Sequence, residues 1–182
     1  MNFEEALKFF KIGTHYKDAS LENAKELPAK LINFAYSWLD SSIDSLYLYG
    51  STGSGKTYFS ICLLRELLRQ KKNCLFINSL QLDRDLLLSV RDNSEYDETH
   101  LMRKYSQCDY LFIDDLGVES DSPRVHREYY EIINNRIIHE KITIISSNLS
   151  LDELSQKLGD RIASRVSSSF VVKFPDVDLR NQ

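Results

Sequence analysis

Short apolar runs alternate along the chain with longer segments in which apolar residues recur every three or four positions. Such runs predict buried strands, and the periodic segments predict amphipathic helices. The predicted strands cover residues 45–49, 73–77, 109–113, 141–145 and 170–174. The predicted helices cover residues 3–11, 23–39, 57–70, 80–90, a short stretch ending near 106, 123–139, a short helix beginning at 151, and 159–166.

This alternation predicts an α/β fold of three layers, with a parallel sheet covered by helices on both faces. Residues 12–22 are expected to be an extended entry segment, and residues 91–98 a polar loop. Ser79, Ser122 and Ser150 are expected to cap the helices that follow them. Ligands of such sheets bind beyond the carboxyl ends of the strands, so we expect the functional site there.

Composition supports a single globular domain. The chain has 182 residues, of which 42% are hydrophobic and 27% charged. We therefore expect one domain over residues 1–182, in which residues 1–22 form the N-terminal helix and entry segment. The formal net charge of −4 gives no global attraction to nucleic acid, although a local basic face is compatible with it.

The cysteines and the apolar segments indicate the cellular compartment of the protein. Cys62, Cys74 and Cys108 lie in apolar segments and form no C-x-x-C pair, so we expect small buried hydrophobes in a reducing environment. No apolar run approaches the length of a membrane span, and the first residues do not have the pattern of a signal peptide. The sequence therefore predicts a cytoplasmic protein with no membrane partner.

The turn after the first predicted strand has the pattern of a phosphate-binding loop. It reads Gly50-Ser-Thr-Gly-Ser-Gly-Lys56-Thr57. Glycines let backbone N–H groups surround an anion, and the N-terminus of the next helix adds a positive dipole. Lys56 is expected at the β and γ phosphates, and the Thr57 hydroxyl on Mg²⁺. The residues expected to contact nucleotide here are Gly50, Ser51, Thr52, Gly53, Ser54, Gly55, Lys56, Thr57 and Tyr58.

Polar residues follow two other predicted strands. Asp114 follows the third strand, where a second Mg²⁺ ligand is expected, and Asp115 can orient or deprotonate the attacking water. A solvated loop carboxylate is the alternative for Asp115. Asn148 follows the fourth strand, where its amide can face the terminal phosphate and position water, although asparagine also favours turns for its own reasons.

Two arginines precede the last predicted strand. Arg161 and Arg165 lie one helical turn apart and share a face. Arg165 can reach the γ-phosphate of a neighbouring subunit as an arginine finger, with Arg161 in support. Ordinary surface ion pairs are the alternative.

Together these motifs resemble the AAA+ ATPases, and most of all the clade of the helicase loaders DnaC and DnaI and the transposition ATPase IstB. The entry segment Ile12-Gly-Thr-His-Tyr16-Lys-Asp-Ala-Ser-Leu21-Glu-Asn is similar to the stretch before the first helix of that family's core. The ending from Phe174 to Arg180 is similar to the family's closing strand and arginine. The resemblance covers residues 12–182.

The resemblance implies a five-stranded P-loop NTPase sheet in the order 5-1-4-3-2, without a C-terminal lid domain. It implies ATP and Mg²⁺ as ligands, with the base near Tyr16 and Leu21. It also implies an ATP-dependent homo-oligomer in which Arg165 acts in trans, and ATP hydrolysis that is weak alone and stimulated by assembly.

Helicase loaders place a replicative helicase on single-stranded DNA, and this is the function that the resemblance favours. Loaders usually carry a helicase-binding domain before the core; here the helix at 3–11 either docks on a helicase or packs on its own core. In loaders the region matching residues 79–108 contributes to contacts along the assembly and to DNA. Its basic residues are Arg84, Arg91, Arg103 and Lys104, and the acids interspersed among them favour a solvated face.

Three alternatives remain at the level of sequence. The first is an IstB-like transposition ATPase. The second is a nucleotide-dependent binding switch with little turnover, because Asp115 stands where many relatives have glutamate. The third is a small-molecule kinase, which the sequence disfavours because neither an acceptor pocket nor an arginine-rich lid is found.

Overall fold

The computed structural model describes residues 1–41, 44–88, 98–118 and 122–179. Within them the chain forms α1 (Phe3–Phe9), a 3₁₀ turn (Thr14–Tyr16), α2 (Ala29–Ser41), β1 (Leu46–Tyr49), α3 (Lys56–Arg69), β2 (Cys74–Asn78), α4 (Ser79–Leu88), α5 (Glu98–Gln107), β3 (Tyr110–Leu116), α6 (Pro123–Ile138), β4 (Ile142–Ser147), α7 (Leu151–Leu158), α8 (Asp160–Val166) and β5 (Phe170–Lys173). None of these helices is long and apolar enough to cross a membrane.

The five strands form one parallel sheet in the order β2-β3-β4-β1-β5. This is the expected order 5-1-4-3-2 read from the other edge, so that prediction is confirmed. The carboxyl ends of β3, β4 and β1 lie side by side because the three strands are neighbours and run the same way. Polar residues that follow these strands are therefore brought to one edge of the sheet.

Helices cover both faces of the sheet, and each face has its own apolar layer. Helices α1, α2 and α3 pack on one face, where Leu46 and Leu48 of β1 meet Phe59 of α3. Helices α4 to α8 pack on the other face, where Tyr47 lies in the same layer as Tyr129 of α6. Burial on both sides explains why β1 to β4 are continuous apolar runs rather than alternating ones. In β5, at the sheet edge, only Val172 is buried.

Helix α1 packs on its own core. The Asn2 side chain and Glu5 form a capping box at its start. Ala6 and Leu7 are buried, and the Arg65 guanidinium lies 4.9 Å from the centroid of the Phe3 ring. The structure thus shows the second of the two alternatives for the first helix, in which it packs on the chain's own core.

Two predicted boundaries near the entry segment are wrong. The helix expected at 23–39 begins at Ala29, and the preceding residues form turns. The Pro28 carbonyl accepts from the Leu31 N–H at 2.8 Å, so Pro28 precedes the helix instead of lying inside it. Proline disfavours the helical conformation for the residue before it, which explains the later start. The 3₁₀ turn at Thr14–Tyr16 likewise interrupts the segment that we expected to be extended.

Two of the three expected helix caps are confirmed. Ser122 accepts from the Val125 N–H at the start of α6, and Ser150 forms a capping box at the start of α7. Ser79 differs, because it is already the first residue of α4 and its hydroxyl bonds elsewhere. The Asn78 side-chain oxygen instead accepts from the Leu80 N–H at 3.0 Å.

Strand β3 is longer than the sequence predicts. It continues past Ile113 through both aspartates to Leu116. Its register with β4 shifts between Ile113 and Leu116, and Asp115 has a φ of 58°. The two aspartates therefore lie in a bulge within the strand and not in a loop after it. The loop predicted at 91–98 lies outside the described residues except for Glu98, which begins α5.

Candidate nucleotide-binding site

The phosphate-binding loop connects β1 to α3. Gly53 and Gly55 have φ values of 80° and 93°, in the left-handed region that glycine adopts without a steric penalty. Helix α3 begins at Lys56, directly after Gly55, so its positive N-terminus lies at the loop. The backbone thus has the form that binds an anion.

Lys56 places a buried cation in this loop. Only 5% of the residue is exposed. Its Nζ donates to the carbonyl oxygens of Gly50 and Ser51 at 2.9 and 2.8 Å, and to the Ser54 hydroxyl at 3.4 Å. A cation held by neutral oxygens inside the protein is well suited to bind phosphate oxygens, which carry negative charge.

Thr57 and Asp114 form a pair of oxygen ligands beside the loop. The Thr57 hydroxyl donates to the two Asp114 carboxylate oxygens at 3.0 and 3.2 Å, although the residues are far apart in sequence. A hydroxyl and a carboxylate are hard oxygen donors, which Mg²⁺ prefers together with phosphate oxygens. The residues present therefore fit a magnesium ion bridging the loop and β3.

The environment of Asp114 disfavours its charge. Burial raises the pKa of its carboxyl from 3.8 to about 6, and the nearby charge of Asp115 also raises it. The hydrogen bonds from Ser146 and Thr57 and the charge of Lys56 oppose this rise in pKa. A bound divalent cation would favour the charged form. Metal binding would thus lower the pKa of Asp114 and offset the effect of its burial.

Asp115 follows directly but has a different setting. Its N–H donates to the Ser146 hydroxyl at 3.0 Å, and its carbonyl accepts from the Ser79 hydroxyl at 2.7 Å. The residue is half-buried and in the left-handed conformation described above. Its role toward water stays a prediction, but it lies beside Asp114 at the end of β3.

Asn148 lies against the phosphate loop. Its side-chain oxygen accepts from Lys56 Nζ at 2.8 Å. It directly follows β4, as the sequence predicts, and its side chain is exposed. The structure therefore brings Lys56, Thr57, Asp114 and Asn148 into one constellation.

A cavity of about 400 Å³ adjoins the loop. Beyond the loop itself it is lined by His15, Tyr16, Glu26, Leu27, Tyr58 and Leu179. The rings of Tyr16 and Tyr58 have centroids 6.4 Å apart. Aromatic and aliphatic walls with a few polar groups are typical of sites that hold a flat heterocycle. Tyr16 and Tyr58 thus lie where the sequence reasoning expects nucleotide contacts.

Leu21 is a correction to that reasoning. It is only 3% exposed and packs in the same core layer as Phe59. It does not line the cavity, so the geometry does not support a contact with the base. The aliphatic wall is formed instead by Leu27, which comes just before Pro28, and by Leu179. No periodicity or motif in the sequence marks these two positions as cavity residues.

The C-terminal segment packs on the phosphate loop. The Leu179 N–H donates to the Gly53 carbonyl at 2.9 Å, and the Ser51 hydroxyl donates to the Pro175 carbonyl at 3.4 Å. The Asp178 carboxylate fills the space that a Cβ atom on Gly53 would need. Residues after β5 thus form part of the site. Arg180, in the same ending, lies outside the described residues.

The two arginines of α8 lie away from this constellation within one chain. Arg165 Nε donates to the Asn134 side chain at 2.8 Å, and its guanidinium lies 5.7 Å from the centroid of the Tyr130 ring. In the described part of the chain these contacts are on α6 and not on the phosphate loop. Arg161, on the same helix, is exposed.

The fold and the site together define a P-loop ATPase of the AAA+ type. On a parallel sheet of this order, the phosphate loop follows β1, a buried aspartate lies in β3, and an asparagine follows β4. The chain belongs to the family of IstB-like ATP binding proteins, whose sequence model matches residues 3–167. It is thus a member of the AAA+ clade that includes DnaC, DnaI and IstB.

Known proteins of related sequence and structure agree with this assignment. The replicative helicase loader DnaC of Escherichia coli strain K12 is 28% identical over 130 residues, which are 70% of this chain and 51% of that protein. The chain therefore spans about half the length of this curated relative.

Two solved structures share the fold. The crystal structure of the DnaC helicase loader superimposes with a TM-score of 0.78 at 20% identity, covering 90% of this chain and 100% of that one. AMPPCP-bound DnaA from Aquifex aeolicus gives a TM-score of 0.75 at 21% identity, covering 86% of this chain and 50% of that one.

Proposed function

We propose that this protein hydrolyses ATP and acts in DNA replication as a helicase loader, placing a replicative helicase on single-stranded DNA. The observation that carries the proposal is the buried Lys56 beside Asn148 and the Thr57–Asp114 pair. The family and the relationship to a replicative helicase loader support the choice of client.

Each residue of the site has a place in this reaction. Lys56 neutralises the β and γ phosphates, and Thr57 with Asp114 would hold Mg²⁺. When bound, the ion would neutralise negative charge on the β and γ phosphates. Asp115 orients the attacking water, and Asn148 faces the terminal phosphate. Phosphoryl transfer depends mainly on such positioning and electrostatic stabilisation, which fits a site without a covalent nucleophile.

The base is held in the cavity beside the loop. Tyr16 and Tyr58 provide aromatic surface, and Leu27 and Leu179 provide aliphatic surface. The triphosphate then extends from this cavity across the loop. This arrangement supports ATP as the nucleotide, in agreement with the family.

We propose that the active assembly is an ATP-dependent homo-oligomer in the cytoplasm. Arg165 then reaches the γ-phosphate bound by a neighbouring copy, with Arg161 beside it, because the contacts of Arg165 in its own chain are on α6. Turnover is weak in the isolated chain for two reasons. The finger is supplied by another protomer, and Asp115 is shorter than the glutamate of many relatives.

Contact with single-stranded DNA is local, because the chain has a net charge of −4. The basic residues Arg84, Arg103 and Lys104 of α4 and α5 are exposed and available for phosphate contacts. Arg91, the fourth candidate, lies outside the described residues.

The decisive experiment measures particle size with ATP, with ADP and without nucleotide, each with and without a replicative helicase and single-stranded DNA. We expect ATP to produce a larger species that binds the helicase, and helicase with DNA to raise ATP turnover. Lys56→Ala should abolish these responses while keeping the fold, whereas Lys30→Ala, an exposed lysine of α2, should not. Unchanged ATP affinity in Lys56→Ala would contradict the site itself.

An IstB-like transposition ATPase is the second candidate, favoured by the family model that matches residues 3–167. It requires a transposase and duplex DNA in place of the helicase and single strand. The same size measurement with those partners separates the two. Assembly on duplex DNA with a transposase, and no response to helicase, would favour this candidate.

A nucleotide-dependent switch with little turnover is the third candidate, motivated by Asp115. It predicts assembly on ATP binding with negligible ADP release. If helicase and single-stranded DNA leave ADP release unchanged while ATP still drives assembly, hydrolysis is not part of the function.

A further inference from the structure

Asp115 has an unfavourable backbone conformation that other contacts must stabilise. The register between β3 and β4 shifts between Ile113 and Leu116, and Asp115, inside the shift, has a φ of 58°. A left-handed conformation is unfavourable for a residue with a Cβ atom, although aspartate tolerates it better than most. In a regular strand Asp114 and Asp115 would point to opposite faces, and a bulge removes that restriction.

Both backbone polar groups of Asp115 bond to serine side chains. Its N–H donates to Ser146 Oγ at 3.0 Å, and its carbonyl accepts from Ser79 Oγ at 2.7 Å. The two serines are 1% and 0% exposed. Buried backbone groups require partners, and at this bulge two hydroxyls provide them in place of the strand ladder.

Ser146 also holds Asp114. Its hydroxyl donates to Asp114 Oδ1 at 2.6 Å. The hydroxyl proton is directed at Asp114 because an ionised carboxylate can only accept, while the Asp115 N–H donates to a lone pair of the same hydroxyl oxygen. One buried hydroxyl therefore joins the backbone of one aspartate to the side chain of the other.

We propose that Ser79 and Ser146 are positioning residues of the ATPase site, which hold Asp115 in the bulge while Ser146 also fixes the Asp114 carboxylate next to Thr57. The inference rests on the proposed function, because it assigns the two serines to the reaction of that site. Ser79 acts on Asp115 alone, whereas Ser146 acts on both aspartates. The two serines are therefore distinguishable by experiment.

Ser147 provides a matched control. It is the next residue of β4 and is 0% exposed. Its hydroxyl donates to the Leu116 carbonyl at 2.6 Å and accepts from the Leu149 N–H at 3.1 Å. Ser147→Ala thus removes the same atoms and a similar pair of hydrogen bonds without touching either aspartate.

The test compares Ser146→Ala, Ser79→Ala, Ser147→Ala and Ser146→Thr in the full chain. Three quantities are measured: hydrogen exchange of the Asp115 amide by NMR, affinity for AMPPCP with and without Mg²⁺, and ATP turnover. For Ser146→Ala we expect faster exchange at Asp115. We also expect a loss of roughly 10- to 100-fold in the Mg²⁺-dependent gain in affinity and in turnover, the usual effect of removing a partner of a metal ligand. Affinity without Mg²⁺ should stay unchanged.

For Ser79→Ala we expect lower turnover but an unchanged Mg²⁺-dependent gain in affinity, because only Asp115 loses a partner. Ser146→Thr keeps the hydroxyl and should restore exchange protection and metal-dependent affinity. Ser147→Ala should leave both near the wild-type values even if it destabilises the fold.

Equal effects of Ser146→Ala and Ser147→Ala on Asp115 exchange and on Mg²⁺-dependent affinity would overturn the inference. A wild-type chain that does not bind AMPPCP would instead contradict the proposed function. In that case the exchange rate at Asp115 would still decide whether Ser146 holds the bulge.

Discussion

Lys56 Nζ donates a hydrogen bond to Asn148 Oδ1 at 2.8 Å, joining two residues that are 92 positions apart in the chain. The bond links the phosphate loop to the end of β4. The phosphate oxygens of ATP are stronger acceptors for Lys56 because they are charged. ATP binding should therefore release the Asn148 side chain and allow it to face the terminal phosphate.

Asn148→Ala tests this release. We expect ATP affinity to change little, because Lys56 keeps its other partners, and turnover to fall by about 10²-fold, typical for loss of one aligned side-chain donor. Asn33→Ala, at an exposed position of α2, is the control and should leave both quantities unchanged. A loss of affinity without loss of turnover would mean that Asn148 only anchors the lysine.

Asp114→Asn should make the protein more stable at pH 8. The folded-state pKa of Asp114 is about 6, above the ordinary 3.8. The folded state thus binds the proton more tightly than the unfolded state, and wild-type stability falls as pH rises from about 4 to just above 6. A rise of about two pKa units corresponds to on the order of 3 kcal/mol of unfolding free energy above that range.

Denaturant unfolding of wild type and Asp114→Asn at pH 4 and pH 8 measures this difference. The advantage of the variant should be large at pH 8 and small at pH 4. Mg²⁺ should increase the stabilisation by AMPPCP in the wild type and not in the variant. A stability difference that does not depend on pH would show that burial does not disfavour the Asp114 charge.

Arg165→Ala should keep ATP binding and lose assembly-stimulated turnover. Removing an arginine finger costs about three to five orders of magnitude in rate in well-studied cases. The side chain contacts Asn134 and Tyr130 at the surface of α6, so the fold should be retained. Turnover is measured with helicase and single-stranded DNA present.

Mixing two inactive variants tests action in trans. Arg165→Ala protomers keep an intact phosphate loop, and Lys56→Ala protomers keep an intact Arg165. If Arg165 acts on a neighbour, mixed assemblies regain turnover where the two types adjoin. A modest effect of Arg165→Ala, or no recovery on mixing, would point to Arg161 or to another residue.

Leu179→Ala should weaken ATP binding by several-fold. The side chain lines the cavity beside the loop, and losing part of its apolar surface costs about 1 kcal/mol or more. Val177→Ala, in the same segment but 45% exposed and outside the cavity, is the matched control. A titration with a fluorescent ATP analogue measures both affinities. Equal affinities of the two variants would show that Leu179 does not contact the nucleotide.

Arg136→Met should destabilise the fold without involving the site. The guanidinium is 0% exposed and donates to the carbonyls of Tyr105, Cys108 and Ile142 and to the Thr143 hydroxyl. Leaving such buried acceptors without donors costs about 1–3 kcal/mol each. We expect a loss of at least about 3 kcal/mol in unfolding free energy.

Arg69→Met is the control, since Arg69 forms an exposed helical ion pair with Glu66, and such pairs contribute at most about 1 kcal/mol. If both variants unfold at the same denaturant concentration, the Arg136 hydrogen bonds do not stabilise the fold.

Several features could be predicted from the sequence because they depend on local pattern. Continuous apolar runs indicate strands buried on both faces, and the glycines before Lys56 indicate an anion-binding loop. Asp114 and Asn148 could be placed at the site because both follow such runs and parallel strands end at the same edge. The expected contact between Leu21 and the base came from resemblance alone. A leucine in an entry segment packs equally well in the core, and Leu21 lies there.

The sequence by itself determined the layers of the fold, the phosphate loop and the residue types at the strand ends, since these follow from periodicity and local backbone preference. The tertiary structure alone decided which distant residues touch. It brought Leu27 and Leu179 to the wall of the cavity, and it placed Ser79 and Ser146 against Asp115. The physical reason is that a hydrogen bond between distant residues depends on strand register and helix packing. A one-residue bulge in β3 sets the backbone conformation around both aspartates, and no periodicity in the sequence predicts it.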